Sequence, residues 1–207
     1  MYARTTTVRG DPRAVDEGIT YIRDTVWPTV QGMSGCVGMS MLADRDAGRC
    51  IVTTAWATDE AMRASAEAVK DSRSRAAEVL RADAVDVAEW EIAILHRKEQ
   101  AGDDAWVRVI WTDAEPDRMG DIVDAFRMSL LPRMDDLPGF CSVSLMVDRG
   151  MGKAVTAVTY ADRDALERSR DMGKAIRDEF TQAMGSEITE IAEMDLVLHH
   201  LRVPEMA

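Results

Sequence analysis

Residues 56–95, shifted by 104 positions, fall on residues 160–199 with no gap. Ala61, Met62 and Ser65 land on Ala165, Leu166 and Ser169, and Lys70 and Arg73 on Lys174 and Arg177. Farther along, Ala88, Glu89 and Glu91 land on Ala192, Glu193 and Asp195. A chain of 207 residues with this offset reads as a tandem pair of copies, each about 100 residues long, a period too large for a solenoid. The expected division is a first repeat over 1–97, a polar linker over 98–104 carrying Gly102, and a second repeat over 105–207.

Within each copy the pattern spells out the same elements. Residues 2–8 and 106–112 are rich in β-branched and aromatic side chains and predict first strands. Asp11-Pro12 and Glu115-Pro116 then place an acidic residue and a proline at a helix start, where the missing N–H costs nothing. From residue 13 to 31 the apolar positions Val15, Ile19, Ile22, Val26 and Val30 step by three or four, making one buried stripe. Met119, Ile122, Val123, Phe126 and Leu130 repeat it. Pro28 and Pro132 lie near the ends of these helices and predict a kink or a tightened last turn.

Gly35 and Gly139 break the chain before strands at 37–42 and 140–147. Polar, glycine-bearing turns at 44–48 and 148–152 lead into third strands at 51–56 and 154–160, so each pair is an antiparallel hairpin. Helical regions capped at residues 58–60 and 162–164 run to about Ala82 and Met184, with one break near Asp71-Ser72 in the first copy. Strands at 85–95 and 188–198 close the copies. The fold class is therefore α+β: two ferredoxin-like β-α-β-β-α-β units packed sheet to sheet as an α+β barrel, each covering the other's bare sheet face.

At this point the chain resembles the antibiotic-biosynthesis-monooxygenase-like branch of the dimeric α+β barrel superfamily. The resemblance rests on this element order, on Pro28 and Pro132 ahead of Gly35 and Gly139, and on two aromatic-then-acidic junctions. These read Trp56-Ala57-Thr58-Asp59-Glu60-Ala61-Met62 and Tyr160-Ala161-Asp162-Arg163-Asp164-Ala165-Leu166. It implies an internal pseudo-dimer and a ligand held between sheet and helices. The haem-degrading members pair a strand asparagine and a helix histidine with a tryptophan; Trp56 matches the last, but 2–8 has no asparagine and 60–82 no histidine, so haem is not expected. The activity implied is a monooxygenase without cofactor, acting on an aromatic or quinol-type small molecule. The alternative is a non-catalytic ligand-binding or assembly module of the same fold.

Four residues are candidates for substrate binding. Trp56 and Tyr160, at matching ends of third strands, would wall the ligand or simply pack the core. Arg73 and Arg177 would meet a phenolate or carboxylate or stabilise a developing oxyanion; the bland reading makes them, with Lys70 and Lys174, solvated helix charge. Arg4 and Arg108, on first strands, are expected to form structural ion pairs with carboxylates among Glu89, Glu91, Glu193 and Asp195. No catalytic residue is assigned. His96, His199 and His200 read as strand-end surface residues, and because adjacent strand residues point apart no metal site is expected. Met33, Met39, Met41, Met128, Met134 and Met146 are placed on apolar faces.

A net charge of -12, acidic in both copies, speaks against nucleic acid and anionic membrane as partners. No run of 18 apolar residues occurs and no leader is recognisable, which predicts a cytoplasmic protein. Cys36, Cys50 and Cys141 are expected to be reduced, a bridge between Cys36 and Cys50 being the alternative. The chain would be a monomer if its copies face each other, and a homodimer if each faces a copy from another chain.

Overall fold

The computed structural model describes residues 1–201, 204 and 206. The first half runs β1 (Tyr2–Arg9), α1 (Val15–Tyr21), α2 (Trp27–Gln31), β2 (Cys36–Asp44), β3 (Arg49–Trp56), α3 (Asp59–Ala68), α4 (Lys70–Val79) and β4 (Ala84–Arg97). The second half runs β5 (Trp106–Asp113), α5 (Met119–Ala125), α6 (Leu131–Met134), β6 (Phe140–Asp148), β7 (Lys153–Tyr160), α7 (Arg163–Arg168), α8 (Arg170–Met184) and β8 (Glu187–Leu201). This is the β-α-β-β-α-β order twice, with each long helical segment divided in two.

The eight strands form one closed antiparallel ring in the order β1-β3-β2-β8-β5-β7-β6-β4. Closure leaves no sheet without a neighbour at its side. The residues group into two compact units, Met1–Trp90 with Asp195–Val203 and Glu91–Met194 with Pro204–Ala207. The division runs through β4 and β8, not through the polar segment 98–104. These strands, of 14 and 15 residues, are long enough to serve twice. The end of β4 pairs with β6 from Glu91↔Val147 to Arg97↔Ser142. The end of β8 pairs with β2 from Ala43↔Asp195 to Gly38↔Leu201.

The ladders inside the units match position for position. β1 meets β3 from Tyr2↔Trp56 to Arg9↔Arg49, and β5 meets β7 from Trp106↔Tyr160 to Asp113↔Lys153. The turns leading into β3 and β7 are held by one carboxylate each. Asp44 Oδ1 accepts the N–H groups of Asp46 and Ala47 at 3.1 and 2.9 Å, and Asp148 Oδ1 those of Gly150 and Met151 at 3.0 Å. Thr58 and Asp162 cap α3 and α7 by accepting from Ala61 N and Ala165 N, as their position before the helices requires.

Each unit has its own core, and the helical stripe supplies much of it. Val15, Ile19, Ile22, Val26 and Val30 pack with Met39, Met41, Trp56 and Met62 in the first. Met119, Ile122, Val123, Phe126 and Leu130 pack with Phe140, Leu145, Tyr160 and Leu166 in the second. Each such fully buried apolar side chain contributes roughly 1.5–3 kcal/mol. Gly35 and Gly139 let the chain turn hard against this packing. Both have positive φ, +79° and +63°, and a Cβ on either would sit 2.5 or 2.4 Å from the Cβ of Ala61 or Ala165.

Four expectations need correction. Pro28 and Pro132 are preceded by widened, π-helical turns, Ile22–Val26 and Phe126–Leu130, not tightened ones. Trp27 N–H donates to Ile22 O and Leu131 N–H to Phe126 O. A proline ring clashes with the carbonyl four residues back, and one extra residue in the turn moves that carbonyl aside. The second helical regions break at Val69 and at Ser169, earlier than Asp71-Ser72. Met128 is 79% exposed, because the helix stripe that buries Phe126 and Leu130 turns it to solvent. His96 is not a surface residue: it is 19% exposed, lies 3.0 Å from Asp135 Oδ1 and stacks on Phe140. The cysteines are unbridged.

Candidate functional site

The pleat of β1 and β5 decides what faces the helices. Alternate residues share one face of a strand, so Arg108, Ile110 and Thr112 of β5 line one surface, next to Ala154, Thr156, Val158 and Tyr160 of β7. Over them lie Ile122, Phe126, Leu130, Met134, Ile176, Arg177 and Phe180. The space between is a narrow cleft with a cavity volume of about 60 Å³, open at its mouth and apolar over most of its wall. The first unit repeats it, also with about 60 Å³, lined by Arg4, Thr6, Val8, Val52 and Thr54 from the strands and by Ile22, Val26, Val30, Val69, Arg73, Ala76 and Leu80 from the helices.

One end of each cleft is built on a buried arginine. Arg4, 3% exposed, donates from Nε and Nη2 to Glu89 Oε1 at 3.0 and 2.8 Å, from Nη1 to Ser65 Oγ at 2.9 Å, and from Nη2 to Met62 O at 2.7 Å. Arg108, also 3% exposed, donates to Glu193 Oε1 at 3.0 and 2.9 Å, to Ser169 Oγ at 3.2 Å and to Leu166 O at 3.1 Å. Every partner in the second set is the first set's partner moved by 104 positions. Burying a guanidinium without partners would cost several kcal/mol, so the carboxylate, hydroxyl and helix carbonyl are what allow it. The expected ion pairs form with Glu89 and Glu193. Asp195 and Glu91 serve elsewhere, with Arg45 and Arg149.

Arg73 and Arg177 extend these ends. Burial, reinforced by Arg4, lowers the Arg73 pKa despite Glu89. Burial also lowers that of Arg177; Arg108 adds to the effect, while Asp178 opposes it. The Arg177 side chain is 16% exposed, and its buried Nε has no hydrogen-bond partner among the described residues. Lys70 and Lys174, one turn earlier, are exposed; Lys70 pairs with Glu67 at the end of α3, and Lys174 with Asp178 along α8. Glu193 is already shared: its Oε2 accepts from Arg170 Nη2 at 2.6 Å. Burial pushes the Glu193 carboxyl up, but the hydrogen bonds and charges of Arg170 and Arg108 outweigh it and hold the group below its usual range. Arg177 has a carboxylate of its own within ion-pair range, Asp178 at 3.9 Å, which it shares with Lys174.

The two aromatic candidates part company. Tyr160 lines the second cleft, 1% exposed, and its hydroxyl accepts from Arg108 Nη1 at 3.2 Å. Burial raises its pKa, so it stays a phenol. Trp56, fully buried, is not in the wall of the first cleft; its Nε1 donates to Thr54 Oγ1 at 3.0 Å, and Thr54 takes the lining position. Sequence reasoning passed over Phe126 and Phe180 as site residues. They meet edge to face with centroids 5.9 Å apart, and both line the second cleft. Their signal was an aromatic pair at positions where the first unit, 104 residues earlier, has Ile22 and Ala76. Among the described residues no group of three His, Cys, Asp or Glu could hold a metal ion, and no helix is long and apolar enough to cross a membrane.

No protein-family model matches the chain. Two proteins of Mycobacterium tuberculosis, Rv2558 and Rv2557, both uncharacterised, align over all of it. The first is 45% identical over 207 residues and 87% of its own length, the second 43% identical over 206 residues and 92% of its own. Among solved structures, a candidate monooxygenase from Fusobacterium nucleatum superposes with a TM-score of 0.70 at 17% identity, over 97% of this chain and 93% of that one. An anthrone oxidase-like protein gives 0.69 at 13% identity, over 100% and 94%. A ferredoxin-fold protein related to antibiotic biosynthesis monooxygenases, from Listeria monocytogenes, gives 0.54 at 9%, over 98% and 95%. At such identities the likeness is one of fold.

Proposed function

The chain belongs to the family of the Mycobacterium tuberculosis proteins Rv2558 and Rv2557, and on that premise, joined to its fold, we propose that it is a cofactor-independent monooxygenase acting on an acidic aromatic or quinol-type molecule held in the cleft of the second unit. One observation carries this reading: a largely apolar cleft with Phe126, Phe180 and Tyr160 in its wall ends at two guanidiniums, Arg108 and Arg177, the second with a buried Nε that no hydrogen bond satisfies among the described residues. A flat aromatic ring fits the first feature and a phenolate or enolate oxygen the second.

In this chemistry the substrate supplies the electrons. A methylene or phenolic carbon acid loses a proton, and the anion is stabilised by Arg108 and Arg177 in a site sparing in water. The anion passes one electron to dioxygen, and the resulting radical and superoxide combine at carbon to a peroxide anion, which takes back the proton lost at the start to become a hydroperoxide. Loss of water leaves a carbonyl, with one oxygen atom in the product and the other in water. Tyr160, held as a phenol, hydrogen-bonds the developing oxyanion.

The second reading, a binding module without turnover, is favoured by one feature: no carboxylate or histidine lies among the described residues lining this cleft to take the proton. Oxygen-electrode measurements with anthrones and hydroquinones separate the two. Uptake of one dioxygen per carbonyl formed, lost in Arg177→Met, supports the oxygenase. Binding of the same compounds with no uptake leaves the module, and absence of binding by the folded protein defeats both. We further take the two halves to be copies of one duplicated unit; native mass measurement distinguishes a monomer from a homodimer.

A further inference from the structure

The first unit's cleft differs in chemistry from the second, and it has no part in the reading above. Its arginine end is retained. Arg4, Thr54 and Arg73 lie together there, since Arg4 and Thr54 are paired across β1 and β3 and the charge of Arg4 acts on Arg73. Along the same strand face come Thr6 and then Val8, four residues and about 13 Å from Arg4 at strand spacing. The far wall is wholly aliphatic: Val8, Val26, Val30, Val52, Ala76 and Leu80. No aromatic side chain lines it, because Trp56 is turned into the core by its bond to Thr54.

A narrow aliphatic cleft with a half-buried guanidinium, Arg73, at one end suits a ligand with one negative end and a saturated chain. It suits a planar aromatic ring poorly, since it lacks the ring faces that would stack on one. Arg4 is committed to Glu89, Ser65 and Met62 O, so the cation left to a ligand is Arg73. Among the described residues no hydrogen bond or ion pair ties Arg73 to a carboxylate.

We propose that the cleft of the first unit is a separate binding site for an unbranched aliphatic carboxylate, its carboxylate on Arg73 and the hydroxyl of Ser72, its chain running along β1 toward Val8 and Leu80. The site stands independently of any oxygenase activity in the second unit, and the two would be filled at once by different molecules.

The test is calorimetric titration of the full chain with hexanoate, octanoate, decanoate and, as the uncharged counterpart, octanol. Affinity is expected to rise with chain length up to the length of the cleft. A charge-assisted contact of ordinary strength implies that Arg73→Met weakens decanoate binding by about tenfold or more and leaves octanol unchanged. Ala76→Phe, which brings in the side chain that the second unit carries at the matching position as Phe180, is expected to abolish binding of the longer acids. Circular dichroism shows whether each variant is folded. Arg177→Met, in the other cleft, is expected to leave decanoate affinity as it was. Absence of decanoate binding by folded protein overturns the proposal. So does octanol binding as tightly as octanoate, or a loss of decanoate affinity in Arg177→Met with none in Arg73→Met.

Discussion

The two clefts are built on the same positions and differ in what those positions carry. At the arginine end the shared contacts are kept: Arg4 and Arg108 hold a serine hydroxyl, a helix carbonyl and a carboxylate in the same roles, to which the second unit adds the Tyr160 hydroxyl on Arg108 and Arg170 on Glu193. Along the walls, Ile22 faces the space where Phe126 does in the other unit, Ala76 where Phe180 does, and Val69 where Gly173 does. The difference teaches which residues are fixed by mechanics. The arginine set ties the helix that follows the third strand to the first strand, and a buried guanidinium tolerates no missing partner. Wall side chains need only be apolar and fill space, so they are the ones free to select a ligand.

The largest expected effect breaks what the clefts share. Arg4→Met and Arg108→Met should each cost roughly 2–4 kcal/mol in urea unfolding. That lies at the low end of a broken buried pair, because Glu89 and Glu193, at 43% and 25% exposure, can still reach water. A loss below 0.5 kcal/mol in either would show that the arginine set is not what binds helix to strand.

Next comes the wall. Gly173 lies beside Arg108, and a Cβ there would sit 3.3 Å from Arg108 Nη1. Gly173→Val gives the second cleft the side chain of the first, and aromatic phenolates should bind about tenfold more weakly. Stability should change by less than about 1 kcal/mol, as helix propensity gains offset the tighter contact. Unchanged phenolate affinity would remove Gly173 from the wall's role in selection.

A smaller effect concerns acid. The folded-state pKa of Glu193 lies below its unfolded value near 4.3, so the stability it lends is complete above that value and is lost as pH falls through the folded one. Glu193→Gln should therefore flatten the decline of stability below about pH 4 while lowering it at neutral pH. An acid limb of unchanged slope would exclude Glu193 as a contributor. Smallest of all is Arg170→Met. Arg170 is 54% exposed, and losing its pair with Glu193 should shift a denaturation midpoint less than any change above, since solvent screens an exposed pair.

Much of the site could be read before any coordinates. The arginine set followed from parity: a strand arginine in both copies needs a carboxylate on the neighbouring strand, and Glu89 and Glu193 stood at the matching offset. Arg73 and Arg177 were found because they recur on the helices that cover that face. Trp56 and Tyr160 were paired by the same offset, and there the inference failed for one of the two. Thr54 offers the indole N–H an acceptor two residues back on the same face. Its counterpart Val158 offers none, so the Tyr160 hydroxyl turns to Arg108 instead. A repeat aligns positions, but a single neighbouring hydroxyl redirects a ring.

By itself the sequence determined the α+β class, the doubled order of elements, the helix caps, the buried stripes and the arginine-carboxylate pairs. All of these follow from local period, from cap chemistry, or from the rule that a buried charge must be matched. Only the tertiary structure decided where β4 and β8 change neighbours, how the chain widens ahead of Pro28 and Pro132, and which aromatic rings wall a cleft. Those outcomes depend on what lies across the fold from a residue, and contacts made over such distances leave no period in the chain.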